Sequence, residues 1–196
     1  MIYVLTVPSS TDRHTYIANL MFSKGLTEYE VIVGKETKKK YDGLFDSIKE
    51  AIKRGYHMPY VILFEDDIAP SEYFSFEALM KRTSEADKLE AHVLVGGIKE
   101  HCFNIVKDTP LTKVQNYRGS QLTVIYKRFY DEVLSTPSGY REFEVFSSYN
   151  SKINKFVTLP FLAYQADFPS RFLNKSIHKQ DYINCEKQLL NGKHIH

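Results

Sequence analysis

Tryptophan is absent from the 196 residues, and cysteine nearly so: only Cys102 and Cys185 occur, far apart in the chain. Two distant cysteines make neither a CxxC motif nor a disulfide framework, which is the pattern of a chain kept reduced. No apolar run approaches the roughly 20 residues needed to span a bilayer. The opening stretch Met1–Pro8 carries no basic segment ahead of its apolar residues, so it reads as a strand rather than a signal peptide. The resulting expectation is a cytoplasmic protein. Excess charge is lacking too: 26 Lys and Arg against 24 Asp and Glu leave +2. That excludes a surface built throughout to hold polyanions. There is no internal repeat, low-complexity tract, P-loop, GxGxxG or GxSxG.

What is present is a globular composition, 43% hydrophobic and 26% charged, with 13 Phe and 14 Tyr to fill a core or stack in a cleft. The length fits one ordinary domain. Apolar period alternates between strand-like and helix-like along the chain. Ile2–Val7 reads as a strand, and residues 12–23 as a helix capped by Ser10 or Thr11 and stopped by Gly25. Tyr29–Val33 is a second strand. Leu44, Phe45, Ile48, Ala51 and Ile52 trace one helical face that Gly55 ends. Tyr60–Phe64 is a continuous apolar run, expected of a strand buried on both faces.

Further on, the pattern predicts a helix over 72–83, a strand over Ala91–Val95 and a loop over 98–119. A strand over Leu122–Tyr126, helices over 127–134 and 142–150, a strand over Phe156–Leu162 and a polar tail with a final helix complete the reading. Strand–helix alternation argues for one α/β domain, a mostly parallel central sheet with helices on both faces. The domain is expected to cover residues 1–170, with 171–196 as a tail packed on it.

The most informative segment is Phe64-Glu65-Asp66-Asp67-Ile68. In open α/β sheets ligands bind beyond the carboxyl ends of strands, which is where this strand delivers three carboxylates. Their mutual repulsion, of order 1 kcal/mol per pair even in water, calls for a compensating charge. A divalent cation is the simplest candidate, and hard oxygen donors suit Mg²⁺ or Mn²⁺. Acidic residues also simply punctuate strand ends as turn formers and helix caps.

Tyr41-Asp42-Gly43-Leu44 through Ile52, followed by Tyr60–Asp67, resembles small nucleotide-sugar-dependent glycosyltransferases of the GT-A fold. Within them it is most similar to glycosyltransferase family 25, the lipopolysaccharide-type transferases. There a helix precedes an apolar strand ending in Glu-Asp-Asp, a variant of the DXD motif. The resemblance implies that Asp67 ligates an Mn²⁺ or Mg²⁺ ion bridging the donor diphosphate. It implies that Glu65 and Asp66 help to hold the metal or the donor ribose. Thr6, Pro8 and Ser9 fall where such enzymes begin to cup the nucleotide, and Arg13 stands one turn into the next helix.

Gly119-Ser120-Gln121 matches a small-residue element ahead of a strand, and Leu159–Gln165 with Ser170 resembles the closing strand and its Gln. His178 is a candidate third metal ligand, with His101 a weaker one. Arg141–Phe146 looks like the acidic helix start that supplies a base. Helix phase turns Glu142 toward Phe143, Val145, Phe146, Tyr149 and Ile153, with Glu144 about 200° away from it. The family pattern favours Glu144, so both stay candidates, against the plain alternative of exposed helix-start carboxylates.

The implied activity is metal-dependent transfer of a sugar from a nucleoside-diphosphate donor to a hydroxyl acceptor, with inversion. Tyr41 or Tyr164 could pack against nucleobase or sugar, or simply lie in the core. Two alternatives stand beside it: a non-catalytic sugar-nucleotide or glycan binding module, and a metal-dependent phosphotransferase or nuclease. A glycoside hydrolase fits less well, since adjacent carboxylates do not straddle a scissile bond at ~5–9 Å. Lys35, Lys38, Lys39 and Lys40 form the one strong basic run. Without interleaved aromatics it is no nucleic-acid signature, and it reads as a solvated loop or a phosphate-side patch.

Overall fold

The computed structural model describes residues 1–36, 42–103, 110–137, 143, 146, 147, 152–168 and 179–191, apart from the side chains of residues 42 and 100–103. Ten strands are described: β1 Ile2–Thr6, β2 Glu30–Val33, β3 Tyr60–Glu65, β4 Ile68–Pro70, β5 Val93–Val95, β6 Glu100–Phe103, β7 Leu111–Arg118, β8 Leu122–Tyr126, β9 Lys155–Thr158 and β10 Ala163–Gln165. Five α-helices accompany them: α1 Thr11–Ser23, α2 Asp42–Arg54, α3 Phe76–Lys88, α4 Tyr130–Ser135 and α5 Lys179–Leu190.

Eight strands form one sheet in the order β2-β1-β3-β8-β5-β9-β7-β6, and β4 pairs with β10 in a small second sheet. The class is α/β, as the alternation predicts. Pairing in the sheet is mixed: β2, β1 and β3 run parallel, as do β5 and β9. The remaining neighbours are antiparallel.

Every central strand is apolar on both sides because both faces are covered. Tyr3, Leu5, Val61, Leu63 and Ile125 point into one core, against Phe45, Ile48 and Ile52 of α2, Val133 of α4, and Tyr182 and Leu189 of α5. Ile2, Val4, Ile62, Phe64 and Val124 point into the other, against Ile17 and Met21 of α1 and Leu79 and Ala86 of α3. Helix α3 is capped by Ser75, whose hydroxyl accepts from Ala78 N at 3.0 Å.

Two segments depart markedly from the sequence reading. Residues 98–119 are not simply loop but carry β6 and β7, paired antiparallel. The signal was hidden because the register slips between Cys102 and Phe103, and because Leu111, Val114 and Tyr117 recur every third residue rather than every second. The expected strand Phe156–Leu162 stops at Thr158, the end of β9, just before Leu159-Pro160, and β10 begins only at Ala163. The proline lacks the N–H that a continuing ladder needs. The helix expected over 142–150 lies largely outside the described residues, though Phe143 and Ser147 within it are buried.

Connectivity places a crevice. From β1 the chain passes through α1 on one face to β2, then through α2 on the opposite face to β3, on the other side of β1. Strand order therefore reverses between β1 and β3, and the carboxyl ends of these two parallel strands form a switch point. The carboxyl ends of β5 and β9 and the amino end of β8 lie along the same sheet edge.

Two buried lysines each satisfy a main-chain carbonyl, one at the end of α4 and one at Ser147. Lys49 donates to Thr136 O, and Lys155 donates to Ser147 O at 2.7 Å. Burial, with the Lys113 ammonium adding to it, brings Lys155 from its ordinary 10.5 down to about 8. Between those values the unfolded chain holds a proton that the folded chain has released, so this group makes stability rise with pH. Urea unfolding of the wild type and Lys155→Met at pH 7.5 and 9.5 checks this. The difference should move toward the wild type by about 2 kcal/mol, at ~1.4 kcal/mol per pH unit above pH 8. A constant difference would refute it.

Candidate active site at the carboxyl ends of β1 and β3

The site starts from two neighbouring strand ends. Strand β1 ends at Thr6, and β3 ends at Glu65 and turns through Asp66 and Asp67 into β4. Main-chain bonds hold this corner: Asp66 N donates to Leu5 O at 3.1 Å, Glu65 N to Gln121 O at 2.9 Å, and Ala166 N to Asp67 O at 2.7 Å. Asp66 and Asp67 are consequently only 5% and 3% exposed, while Glu65 is half-buried. Two adjacent carboxylates at that depth need a cation or a full set of donors.

Arg13 supplies the cation and one donor contact to each. It reaches across from the first turn of α1, and its Nη1 lies 3.0 Å from Asp66 Oδ1 and 2.9 Å from Asp67 Oδ2. The Thr6 hydroxyl donates to Asp66 Oδ2 at 2.6 Å, and Gln165 Nε2 donates to Asp67 Oδ2 at 2.9 Å. One oxygen is left over. Among the described residues Asp67 Oδ1 has no hydrogen-bond partner, although it is buried. Burial pushes the Asp67 carboxyl above its ordinary value, with Asp66 adding to the rise and Arg13 and Gln165 opposing it. For Arg13, burial disfavours the charge, but Asp67 and Asp66 outweigh it and hold the guanidinium more firmly protonated than usual.

Aromatic rings complete the slot. Phe168 lies under the Arg13 guanidinium at 5.4 Å, and the Tyr16 ring meets Phe168 edge-on at 5.1 Å. The Tyr16 hydroxyl in turn donates to Ile68 O at 2.8 Å, tying α1 to the turn after the acidic triplet. On the far side, Tyr182 of α5 donates to Gln121 Oε1. Gly119, at φ +82°, makes room for that hydroxyl, which a Cβ would strike.

The structure thus brings together Thr6, Arg13, Asp66, Asp67 and Gln165, with half-buried Glu65 close enough to favour the Arg13 charge. Pro8 and Ser9 lie apart, exposed on the loop from β1 to α1, where Ser9 N donates to Glu36 Oε1 at 3.0 Å. Tyr164 faces the core, its hydroxyl donating to Glu186 Oε2 at 2.8 Å. Tyr41, Lys38, Lys39, Lys40, Glu142, Glu144, Ser170 and His178 lie outside the described residues, as does the side chain of His101. Sequence reasoning missed Tyr16 and Phe168. The spacing of Tyr16 one turn after Arg13 was a usable signal, whereas nothing local tied Phe168 to either.

Comparisons with known proteins now have a geometry to meet. No family model and no curated protein matches the chain. Solved structures do. A197 from STIV shares 13% identity over 84% of this chain and 85% of its own, at a TM-score of 0.51. A UDP-glucose pyrophosphorylase complexed with UDP-glucose shares 10% over 98% and 81%, at 0.50. A Bacillus anthracis protein assigned as a glucose-1-phosphate thymidylyltransferase, solved with a sucrose, shares 8% over 84% and 89%, at 0.51. The chain has the nucleotidyltransferase and GT-A type of fold. At these identities the likeness is one of fold.

The residues present fit a divalent cation in part of its shell. Asp67 Oδ1 is a hard oxygen with no partner among the described residues. Among the described residues no three His, Cys, Asp or Glu converge. Mg²⁺ and Mn²⁺ can nonetheless bind through one or two carboxylates plus substrate phosphates. Among the described residues no helix is long and apolar enough to cross a membrane.

The energetics of the cluster are testable by thermal unfolding. Asp67→Asn at pH 7 should melt at or above the wild-type temperature, because burial disfavours the charge it removes. Arg13→Leu should cost about 3–5 kcal/mol, since it strands two buried carboxylates. Equal destabilisation by both variants would contradict the account.

Proposed function

We propose that the chain transfers a sugar from a nucleoside-diphosphate donor to a hydroxyl acceptor, in the manner of glycosyltransferase family 25, with Mn²⁺ or Mg²⁺ as cofactor. The observation that carries this reading is the acidic corner at the β1/β3 switch point, in which one buried oxygen of Asp67 has no partner among the described residues. The resemblance of residues 41–67 to that family and the fold both support it.

Asp67, with Glu65 beside it, would hold the cation. When bound, the ion neutralises charge developing on the departing diphosphate. Asp66, locked by Thr6 and Arg13, fixes the backbone on which Glu65 and Asp67 stand. Gln165 orients the Asp67 carboxylate from β10. The loop from β1 into α1 brings a helix amino end to the same crevice, favourable ground for an anionic donor. Glu142 or Glu144 would accept the acceptor hydroxyl's proton while the new C1–O bond forms, the bond from C1 to the diphosphate breaks and the anomeric centre inverts. His178 remains the candidate to complete the metal's shell.

A binding module of the same fold is the second reading. Arg13 favours it, because it already occupies Oδ2 of Asp67, the aspartate that catalysis would commit to a cation.

A thermal-shift screen of nucleotide sugars with and without Mn²⁺ identifies the donor. A ligand at 100 times its Kd adds about 2.7 kcal/mol to the native state. With that donor, Asp67→Ala should lower release of nucleoside diphosphate at least ~100-fold, about 2.7 kcal/mol of barrier, while remaining folded. Unchanged turnover would sink the assignment, and donor binding without release in the wild type would favour the binding module.

A further inference from the structure

The Arg13 side chain spends its hydrogen bonds unevenly. Both of its contacts with the carboxylates start from Nη1. Among the described residues Nη2 and Nε meet no acceptor, and the side chain keeps 18% of its surface exposed. A guanidinium carries five donors in a rigid fork suited to phosphate, so most of that capacity is unspent. Phe168 holds the plane of the group without using any donor. Directly beside it, Asp67 has the complementary deficit: Oδ2 accepts from Arg13 and Gln165, while buried Oδ1 accepts from nothing described.

We propose that Arg13 is the resting counter-cation of this corner and a gate on cation entry. It occupies Asp66 and Asp67 while the site is empty and gives up Asp67 when a diphosphate offers its unspent donors an anion. Asp66 stays as its anchor. A divalent cation alone must displace a guanidinium from a buried carboxylate, so it binds poorly before the anionic substrate arrives. The inference rests on the glycosyltransfer reading for the nature of the anion, but not for the competition between Arg13 and a cation. Arg13 is in this sense a positioning residue: it acts through Asp67.

The test is Mn²⁺ binding alone, followed by the electron paramagnetic resonance of free Mn²⁺, on the full chain without any nucleotide. Arg13→Gln should bind Mn²⁺ at least tenfold more tightly than the wild type, and Arg13→Gln with Asp67→Asn should lose that gain. Arg13→Lys keeps the charge but ends in a shorter side chain without the planar group that lies against Phe168, so it should show a smaller gain of the same sign. It also serves should Arg13→Gln fail to fold. Cooperative melting establishes that each variant used is folded. Equal or weaker Mn²⁺ binding in the folded Arg13 variants overturns the gate. If the affinity rises yet no nucleotide sugar stabilises or is consumed by the wild type, the glycosyltransfer reading fails and the gate stands. If Mn²⁺-dependent turnover is found while Arg13→Gln leaves Mn²⁺ affinity unchanged, the gate alone fails.

Discussion

One guanidinium nitrogen shared between two adjacent, buried aspartates governs this end of the molecule. Like charges side by side in a poorly hydrated corner repel, and the cost of desolvating them adds to the repulsion. Arg13 offsets both from another element, which fixes α1 against the turn after β3. Gln165 repeats the constraint from β10, and Thr6 from the end of β1. Four segments are thereby bound at one point, three of them supplying a donor to the pair of acids that the fourth carries.

That corner is rigid because the sheet behind it is buried on both faces. The strands that meet there alternate side chains between two cores, so a slip of one residue would exchange every partner. Registers of β1 with β3, and of β3 with β8, are therefore well specified, and with them the positions of Thr6, Glu65 and Gln121. Near-neutral net charge conceals this arrangement. The charge that matters is local, three carboxylates facing one arginine, and its consequences follow from depth rather than from the total.

Much of the architecture was legible in the chain. The apolar run of β3, the amphipathic face of α2 and the stop at Gly55 marked their elements within a residue or two, since hydrophobic period reports directly which side is buried. β6 and β7 were not legible, because an irregular register removed the two-residue period that reveals a strand. Sequence also picked out Glu65, Asp66 and Asp67, since three acids after an apolar strand are conspicuous. It named Arg13 as well, but for the donor rather than the acids, and Gln165 only as the glutamine of a closing strand. The spacing of charges along the chain cannot show that a residue 53 positions away neutralises Asp66.

The sequence by itself determined the α/β class, the two-sided burial of the central strands and the location of an acidic strand end, because each depends only on local composition and period. Tertiary structure alone decided which groups face those acids, which oxygen has no partner among the described residues and how Phe168, backed by Tyr16, lies against the guanidinium. Those are properties of loops and strand ends converging at a switch point, and convergence of distant segments is set by packing, not by anything a local window of residues encodes.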